Sequence, residues 1–281
     1  MKDFKGKVVV VTGAGSGIGR STALAFAKEG ARLHLTDINA ERIEAVAKEV
    51  RALGAEAAAY VVDSSNRSAM EKFAADVYDA AGRVDVLHNN AGIGVGSPFE
   101  NIPLEQWERI INVNLWGVIY GVHYFVPRMI AQGGGGHIVN TASGAGLIAL
   151  PLLGPYNATK FAIVGLSETM SMELKKYGIF TTALCPGIIN TNIVRDSLFV
   201  VPRPEMATLK DRTVKFYDRF GVSPDKVARD VLAAVRKQRP VQVSPFWQMA
   251  PAWLLKRLSV RLYQAVARMI VSRILSSGLT P

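Results

Sequence analysis

Strand-length apolar runs alternate with helix-length amphipathic segments from residue 7 to residue 187, and few folds accommodate this pattern. The apolar runs are residues 7–13, 32–37, 57–63, 84–92, 136–143 and 179–187. The amphipathic segments are residues 17–29, 40–53, 66–81 and 103–131, with a further one that starts at Pro155. Strands separated by helices pair in parallel, and the helices cover both faces of the resulting sheet. The sequence therefore predicts an α/β fold built on a parallel sheet.

The chain shows no linker rich in Pro, Gly or Ser that would divide this pattern into separate units. Its 281 residues suffice for one large α/β domain with a substantial core. We therefore predict one domain over residues 1–242, followed by a C-terminal extension over residues 243–281.

The net charge of +10 is concentrated at the C-terminal end. No acidic residue follows Asp230, whereas eight Lys and Arg residues do. A nucleic-acid-binding domain would spread basic and aromatic residues over a binding face. The charge distribution therefore argues against nucleic acid as a partner.

Cysteine usage and hydropathy indicate a cytoplasmic protein. Cys185 is the only cysteine, so an internal disulfide is excluded and a reducing compartment fits. The apolar stretch near the N-terminus is too short for a signal peptide. Residues 110–127 and 129–159 are long uncharged runs, but polar residues and glycines interrupt them. We expect both to be buried or to face a neighbouring subunit rather than to span a membrane.

The first predicted strand runs into "TGAGSGIGR", residues 12–20, which has four glycines before a predicted helix. A glycine-rich turn between a strand and a helix lets backbone N–H groups approach a pyrophosphate, and the helix N-terminus adds positive potential. Glycines also make tight turns for purely structural reasons. The strand before this turn and the helix after it favour a dinucleotide site.

Asp37 closes the second predicted strand. A carboxylate there can accept hydrogen bonds from the ribose hydroxyls and would repel a 2′-phosphate. Neither Ser16 nor Ile38 supplies a cation that would attract that phosphate. We therefore predict NAD rather than NADP as the cofactor; the alternative is a solvated aspartate in a turn.

Tyr156 and Lys160, in "GPYNATKFAIVG", are four residues apart and share one helix face. A phenol with a pKa of about 10 is a poor base at neutral pH, but a neighbouring ammonium stabilises the phenolate. Ser143 ends a predicted strand 13 residues earlier, where its hydroxyl can bind a substrate oxygen. The alternative is that Tyr156 and Lys160 share a helix face without a catalytic role.

These motifs together resemble the short-chain dehydrogenase/reductase family over residues 5–242. The matching features are the TGxxxGxG turn, NNAG at 89–92, Asn114, Ser143, the YxxxK pair and the PGxxxT segment at 186–191. The resemblance implies a three-layer, doubly wound Rossmann fold whose central parallel sheet has about seven strands. It also implies an oxidoreductase, and the family forms homodimers and homotetramers.

The resemblance assigns a role to each catalytic residue. Tyr156 would be the general acid and base, and Lys160 would lower its pKa and hold the nicotinamide ribose. Ser143 would polarise the substrate oxygen. Asn114 would hold a water in a proton relay that starts at Lys160.

The resemblance also predicts which residues contact NAD besides Tyr156 and Lys160. They are Gly13, Ser16, Ile18, Asp37, Asp63, Ser64, Asn90, Gly92, Ile189 and Thr191. No pair of histidines has metal-ligand spacing, so we predict no metal site. His88 stands where the family usually has an apolar residue, and we interpret it as packing.

The predicted reaction is hydride transfer between NAD and a secondary alcohol or ketone. Three segments rich in apolar residues should surround the substrate, namely residues 92–99, 145–154 and 190–222. They favour a hydrophobic substrate under a mobile lid, although the same side chains could pack on the body or on another subunit. A non-catalytic NAD sensor or scaffold, and an epimerase or lyase that retains NAD, are the alternative functions.

Residues 251–275 form a basic amphipathic segment at helical period. Such a helix packs against the protein's own body or a partner subunit, or it lies on an anionic membrane surface. The sequence leaves these alternatives open.

Overall fold

The structure, a computed structural model, describes residues 1–199 and 209–276. Its main sheet consists of β1 (Val8–Thr12), β2 (Arg32–Asp37), β3 (Ala57–Val61), β4 (Val86–Asn89), β6 (Gly136–Thr141), β7 (Ile179–Pro186) and β9 (Val241–Ser244). A separate two-stranded sheet pairs β5 (Val95–Gly96) with β8 (Leu198–Phe199). The helices are α1 (Gly17–Lys28), α2 (Ala40–Ala52), α3 (Arg67–Ala81), α4 (Leu104–Ile111), α5 (Gly117–Ala131), α6 (Gly154–Glu173), α7 (Leu209–Phe220), α8 (Pro224–Lys237), α9 (Phe246–Leu258) and α10 (Val260–Ser276).

The seven strands of the main sheet are parallel and follow the order β3-β2-β1-β4-β6-β7-β9. Because β1 lies between β2 and β4, the chain winds first towards one edge and then towards the other. The carboxyl ends of β1 and β4 flank the point where the winding direction changes, and open α/β sheets bind ligands at this point. The predicted doubly wound fold is confirmed.

Apolar side chains from both faces of the sheet form the core. Phe26 of α1, Val46 of α2 and Val231 of α8 pack together on one face. Phe73 of α3 and Phe125 of α5 belong to the cluster on the other face. Two covered faces explain why the strands read as apolar runs rather than as alternating patterns.

The long helix predicted over residues 103–131 is interrupted. A π-helical turn, Asn112–Trp116, separates α4 from α5. Such turns insert one extra residue into a helix and are frequent at functional sites. Periodicity cannot show this turn, because the apolar pattern continues on both sides of it.

β9, the last of the seven strands in the main sheet, spans residue 242, which is the predicted end of the main domain. We propose that the domain boundary lies after Ser244, since β9 pairs with β7 inside the main sheet. The division into a domain and an extension is otherwise retained as a prediction.

The extension forms two helices, α9 and α10, which break at Ser259. Their inner side packs on the body of the protein. Lys256 Nζ donates a hydrogen bond to the Leu147 carbonyl at 2.9 Å, and the Tyr263 hydroxyl donates to the Ala149 carbonyl. Among the described helices, none combines the length and the apolar character needed to cross a lipid bilayer.

Candidate active site

The glycine-rich turn connects β1 to α1 and requires glycine at two positions in particular. Gly13 has a φ of +62°, and a Cβ there would lie 2.7 Å from Ala91 Cα. A Cβ on Gly19 would lie 2.2 Å from the Gly13 carbonyl oxygen. Side chains at these positions would push apart the turn and the strand end beside it, so the backbone stays exposed to a ligand at the helix N-terminus.

Asp37 ends β2 beside this turn, and its carboxylate is held by backbone groups. Oδ2 accepts a hydrogen bond from Gly15 N, and Oδ1 accepts one from Asn39 N, both at 2.9 Å. Arg42 lies close by, because a Cβ on Gly15 would be 3.0 Å from Arg42 Cβ. Its guanidinium is 3.7 Å from the carboxylate of Asp196. The positions that indicate cofactor preference in the sequence, Ser16 and Ile38, do not reveal this cation.

Tyr156 and Lys160 lie on the first two turns of α6. Lys160 is only 3% exposed, and its Nζ donates a hydrogen bond to the Thr141 carbonyl at 2.8 Å. The same Nζ lies 5.5 Å from the centre of the Tyr156 ring. β6 ends at Thr141 rather than at Ser143, which lies two residues beyond the strand. The Ser143 Oγ accepts a hydrogen bond from Ala145 N at 3.1 Å. The end of β6 and the start of α6 therefore bring the three predicted catalytic side chains together.

Burial shifts the pKa of both titratable groups. Desolvation raises the pKa of Tyr156 to about 12, while a hydrogen bond with Ser143 lowers it by a smaller amount. Desolvation lowers the pKa of Lys160 to about 8, so its ammonium is still the major form at neutral pH. The sequence analysis predicted a lowered pKa for Tyr156. The protein's own groups instead raise the pKa of Tyr156. Desolvation of the half-buried phenol has a larger effect than the hydrogen bond with Ser143, which lowers the pKa.

Asn114 lies in the π-helical turn and is fully buried. Its side-chain amide pairs with the backbone of Ile93: Oδ1 accepts from Ile93 N at 2.8 Å, and Nδ2 donates to Ile93 O at 2.9 Å. A Cβ on Gly92 would be 3.2 Å from Asn114 Oδ1 and 3.5 Å from Lys160 Nζ. Asn114 and Lys160 therefore flank the same glycine.

These groups surround a cavity of about 1150 Å³. All of the predicted cofactor contacts line it, as do Ser143, Tyr156 and Lys160, whereas Asn114 is not among the lining residues. The lining also includes parts of the three segments predicted to surround the substrate; within the third of these, residues 200–208 lie outside the described residues.

The sequence analysis missed the part of this cavity that the C-terminal extension forms. Its lining residues are Met249, Ala252, Leu255, Tyr263, Val266 and Ala267. Tyr217 of α7 also lines the cavity. Tyr217 belongs to the predicted 190–222 segment, whereas no local motif marks the six positions of the extension, which meet the site only through packing of distant segments. Within residues 1–199 and 209–276, no three His, Cys, Asp or Glu side chains are grouped as a metal site would require.

Comparison with known proteins identifies the family. Residues 7–198 match the family model described as short chain dehydrogenase. The chain belongs to the short-chain dehydrogenase family. This family membership confirms the resemblance inferred from the sequence motifs.

Two curated relatives of this family member are informative. The probable oxidoreductase EphD of Mycobacterium tuberculosis is 40% identical over 242 residues, which cover 85% of the chain but only 41% of EphD. The chain therefore spans about two fifths of that relative's length. The cyclohexanol dehydrogenase of Acinetobacter sp. SE19 is 40% identical over 194 residues, which cover 69% of the chain and 77% of that enzyme.

A solved structure resembles this short-chain dehydrogenase over nearly its whole length. It is a short-chain dehydrogenase/reductase from Burkholderia phymatum in complex with NAD, with a TM-score of 0.86 and 32% sequence identity. The match covers 93% of this chain and 96% of the Burkholderia chain.

His88 connects the core of the protein to its candidate site. The residue is fully buried, and its Nε2 lies 2.9 Å from Thr141 Oγ1. The carbonyl of the same Thr141 accepts the hydrogen bond from Lys160. The sequence analysis interpreted His88 as packing; the structure adds a polar contact to the strand end that holds Lys160.

We expect His88→Leu to weaken the dependence of stability on pH in acid. Burial lowers the pKa of His88 to about 3, so between about pH 3 and 6.5 the unfolded chain binds a proton that the folded chain does not. Stability is therefore fully present above pH 6.5 and is lost as the pH falls. Removing the imidazole should reduce the slope of the unfolding free energy by roughly 1.4 kcal/mol per pH unit in that window. Urea unfolding at a series of pH values measures this slope.

His123→Gln is the matched control, because His123 is exposed on α5. Its slope should equal that of the wild type. A His88→Leu variant with an unchanged slope would contradict the proposed effect of burial. His137, whose pKa burial also lowers to about 3, should retain its own contribution in both variants.

Proposed function

We propose that this protein is an NAD-dependent dehydrogenase that interconverts a secondary alcohol and the corresponding ketone on a hydrophobic skeleton. The observation that carries this proposal is the cavity itself, which joins the glycine-rich turn to Ser143, Tyr156 and Lys160. A non-catalytic NAD sensor would not need these three side chains next to a dinucleotide site.

The residues around the turn fit an NAD molecule. Glycine at positions 13 and 19 lets the turn pack closely on itself and on residues 90 and 91, since a Cβ at either position would clash there. A pyrophosphate would bind to the backbone N–H groups of this turn at the N-terminus of α1. The carboxylate of Asp37 is oriented by two backbone N–H groups and can accept hydrogen bonds from ribose hydroxyls. The related Burkholderia phymatum structure is a complex with NAD, which supports the same cofactor here. When bound, NAD⁺ supplies the hydride acceptor.

In the proposed mechanism, the phenolate form of Tyr156 takes the hydroxyl proton of the alcohol and becomes the neutral phenol. Ser143 donates a hydrogen bond to the same oxygen and stabilises the alkoxide as it forms. Lys160, cationic at neutral pH and with its Nζ 5.5 Å from the centre of the Tyr156 ring, would stabilise this phenolate by its positive charge. Asn114 and Lys160 flank Gly92, and a water between them would pass the proton onwards.

The cavity wall and one relative support a hydrophobic substrate. The 145–154 segment and the extension contribute mainly apolar side chains, including Ile148, Leu150, Leu255 and Val266. The cyclohexanol dehydrogenase relative acts, by its name, on an alicyclic secondary alcohol. We therefore propose alicyclic or larger apolar secondary alcohols as the substrate class.

Purified full-length protein should form NADH when it is mixed with NAD⁺ and a suitable alcohol. Cyclohexanol, terpenoid alcohols and steroid alcohols make up the apolar panel, and small polar alcohols make up the comparison panel. The proposal expects turnover in the apolar panel. Turnover of the polar alcohols alone would exclude the hydrophobic substrate class, and no NADH with any alcohol would favour the sensor.

We expect Tyr263→Phe to raise the KM for the alcohol without changing the affinity for NAD. The Tyr263 hydroxyl binds the carbonyl of Ala149 and so ties α10 to the 145–154 segment of the cavity wall. Loss of one hydrogen bond should raise KM by roughly twofold to tenfold. Steady-state kinetics and NAD titration measure the two effects. Tyr177→Phe is the control, because Tyr177 is 44% exposed; a Tyr263→Phe effect no larger than this control would refute the coupling.

That the protein forms a homodimer or a homotetramer stays a prediction.

A further inference from the structure

Helix α9 presents an apolar face to solvent. Trp247, Pro251, Leu254 and Leu258 are all exposed, and Leu258 has 86% of its surface accessible. Their spacing of three and four residues places them in one stripe along the helix. Stripes of this kind usually face a core, so an exposed one marks a surface for interaction.

Both helices of the extension also carry exposed cations. Arg257 is exposed on α9, and Arg261 and Arg268 are exposed on α10. On α10 each arginine directly precedes an exposed apolar residue, Leu262 in one case and Met269 in the other. One residue is about 100° of helix rotation, so the arginines lie beside the apolar side rather than opposite it. This arrangement is typical of helices that lie in a membrane interface.

The charges decide between two occupants of this surface. A second copy of the chain, related by a twofold axis, would bring the same arginines together. No acidic residue follows Asp230, so neither copy's extension could neutralise them. An anionic bilayer supplies both the negative charge and an apolar layer for Trp247 and Leu258.

The same two helices form a wall of the cavity with their inner sides. Leu255 of α9 and Val266 of α10 line the cavity, and Val266 is also 37% exposed. Phe216 of α7 likewise both lines the cavity and is 46% exposed. Apolar surface therefore continues from the outside of the protein to the cavity.

We propose that α9 and α10 dock the protein on an anionic lipid surface, where its apolar substrate is concentrated. The docking is carried by the exposed stripe and the three arginines, whereas the delivery of substrate rests on the proposed function. The two parts can be tested separately, because vesicle binding needs no catalysis.

The test is co-sedimentation of the full chain with vesicles of phosphatidylcholine alone or of an equal mixture of phosphatidylcholine and phosphatidylglycerol. We expect binding to the mixed vesicles, weaker binding to the neutral ones, and loss of binding at high salt. A triple variant, Arg257→Gln with Arg261→Gln and Arg268→Gln, should bind the mixed vesicles roughly a hundredfold more weakly. Leu254→Ser with Leu258→Ser should also reduce binding.

The matched control removes the same charge from exposed lysines elsewhere: Lys5→Gln, Lys28→Gln and Lys48→Gln. It should bind like the wild type. All variants should keep the far-UV circular dichroism spectrum and the thermal unfolding midpoint of the wild type, which shows that they are folded. No binding by the wild type, or equal loss in the control and the arginine variant, would overturn the proposal. A dimer in light scattering that the leucine variant dissociates would assign the surface to a second copy and overturn it as well.

Discussion

Tyr156→Phe should lower kcat for alcohol oxidation by about 10² to 10⁴-fold while leaving NAD affinity within a factor of about two. The substitution removes one oxygen and keeps the ring that packs beside Lys160. Without the phenol, the proton of the alcohol has no positioned acceptor, and Ser143 cannot take its place because its own pKa is far higher. Steady-state kinetics with a substrate from the apolar panel and an NAD titration provide the two measurements.

Tyr217→Phe is the comparison for this experiment. It removes a phenol hydroxyl from another element that lines the same cavity, α7, and should cost less than about tenfold. If Tyr156→Phe keeps more than a tenth of the wild-type activity, Tyr156 is not the general base. If both variants lose activity equally, the cavity depends on phenol packing rather than on proton transfer.

Asp37→Ser should shift the preference between NAD and NADP by about a hundredfold towards NADP. The wild-type carboxylate would repel the 2′-phosphate of NADP at close range. Arg42 already lies beside this position, and we expect its guanidinium, which is 3.7 Å from the Asp196 carboxylate, to turn towards the phosphate. The ratio of kcat/KM for the two cofactors measures the change, and each tenfold step corresponds to about 1.4 kcal/mol.

A second variant separates the two causes of this shift. Asp37→Ser combined with Arg42→Gln removes the repulsion but also the attracting cation, so it should recover only part of the preference for NADP. If the single variant leaves the cofactor ratio unchanged, Asp37 does not select the cofactor. If the double variant equals the single one, Arg42 does not contact the phosphate.

The elements that sequence analysis predicted well are local ones. The glycine-rich turn, the strand ends at Asp37 and Ser143 and the helix that carries Tyr156 all depend on residues within one strand or helix. Their periodicities and turn residues reflect steric limits that act over a few residues. The π-helical turn at Asn114 was not predicted, because it changes the backbone hydrogen bonding of the helix without changing its apolar pattern.

Features that depend on distant packing could not be predicted. Arg42 meets Gly15 of the glycine-rich turn across 27 residues of sequence, because the start of α2 packs beside that turn. Tyr263 meets Ala149 across 114 residues of sequence, which places the extension in the cavity wall. From the sequence, the extension could pack on the body, on a partner subunit or on a membrane. The structure shows that its inner side packs on the body.

The amino-acid sequence by itself determined the order of strands and helices, the dinucleotide turn and the pairing of Tyr156 with Lys160 on one helix face. These follow from steric and hydrogen-bonding preferences of short segments. Only the tertiary structure decided how deeply the phenol and the ammonium are buried, and hence that the Tyr156 pKa rises to about 12 rather than falls. Desolvation depends on every atom that surrounds a group, and most of those atoms come from parts of the chain that no local pattern connects.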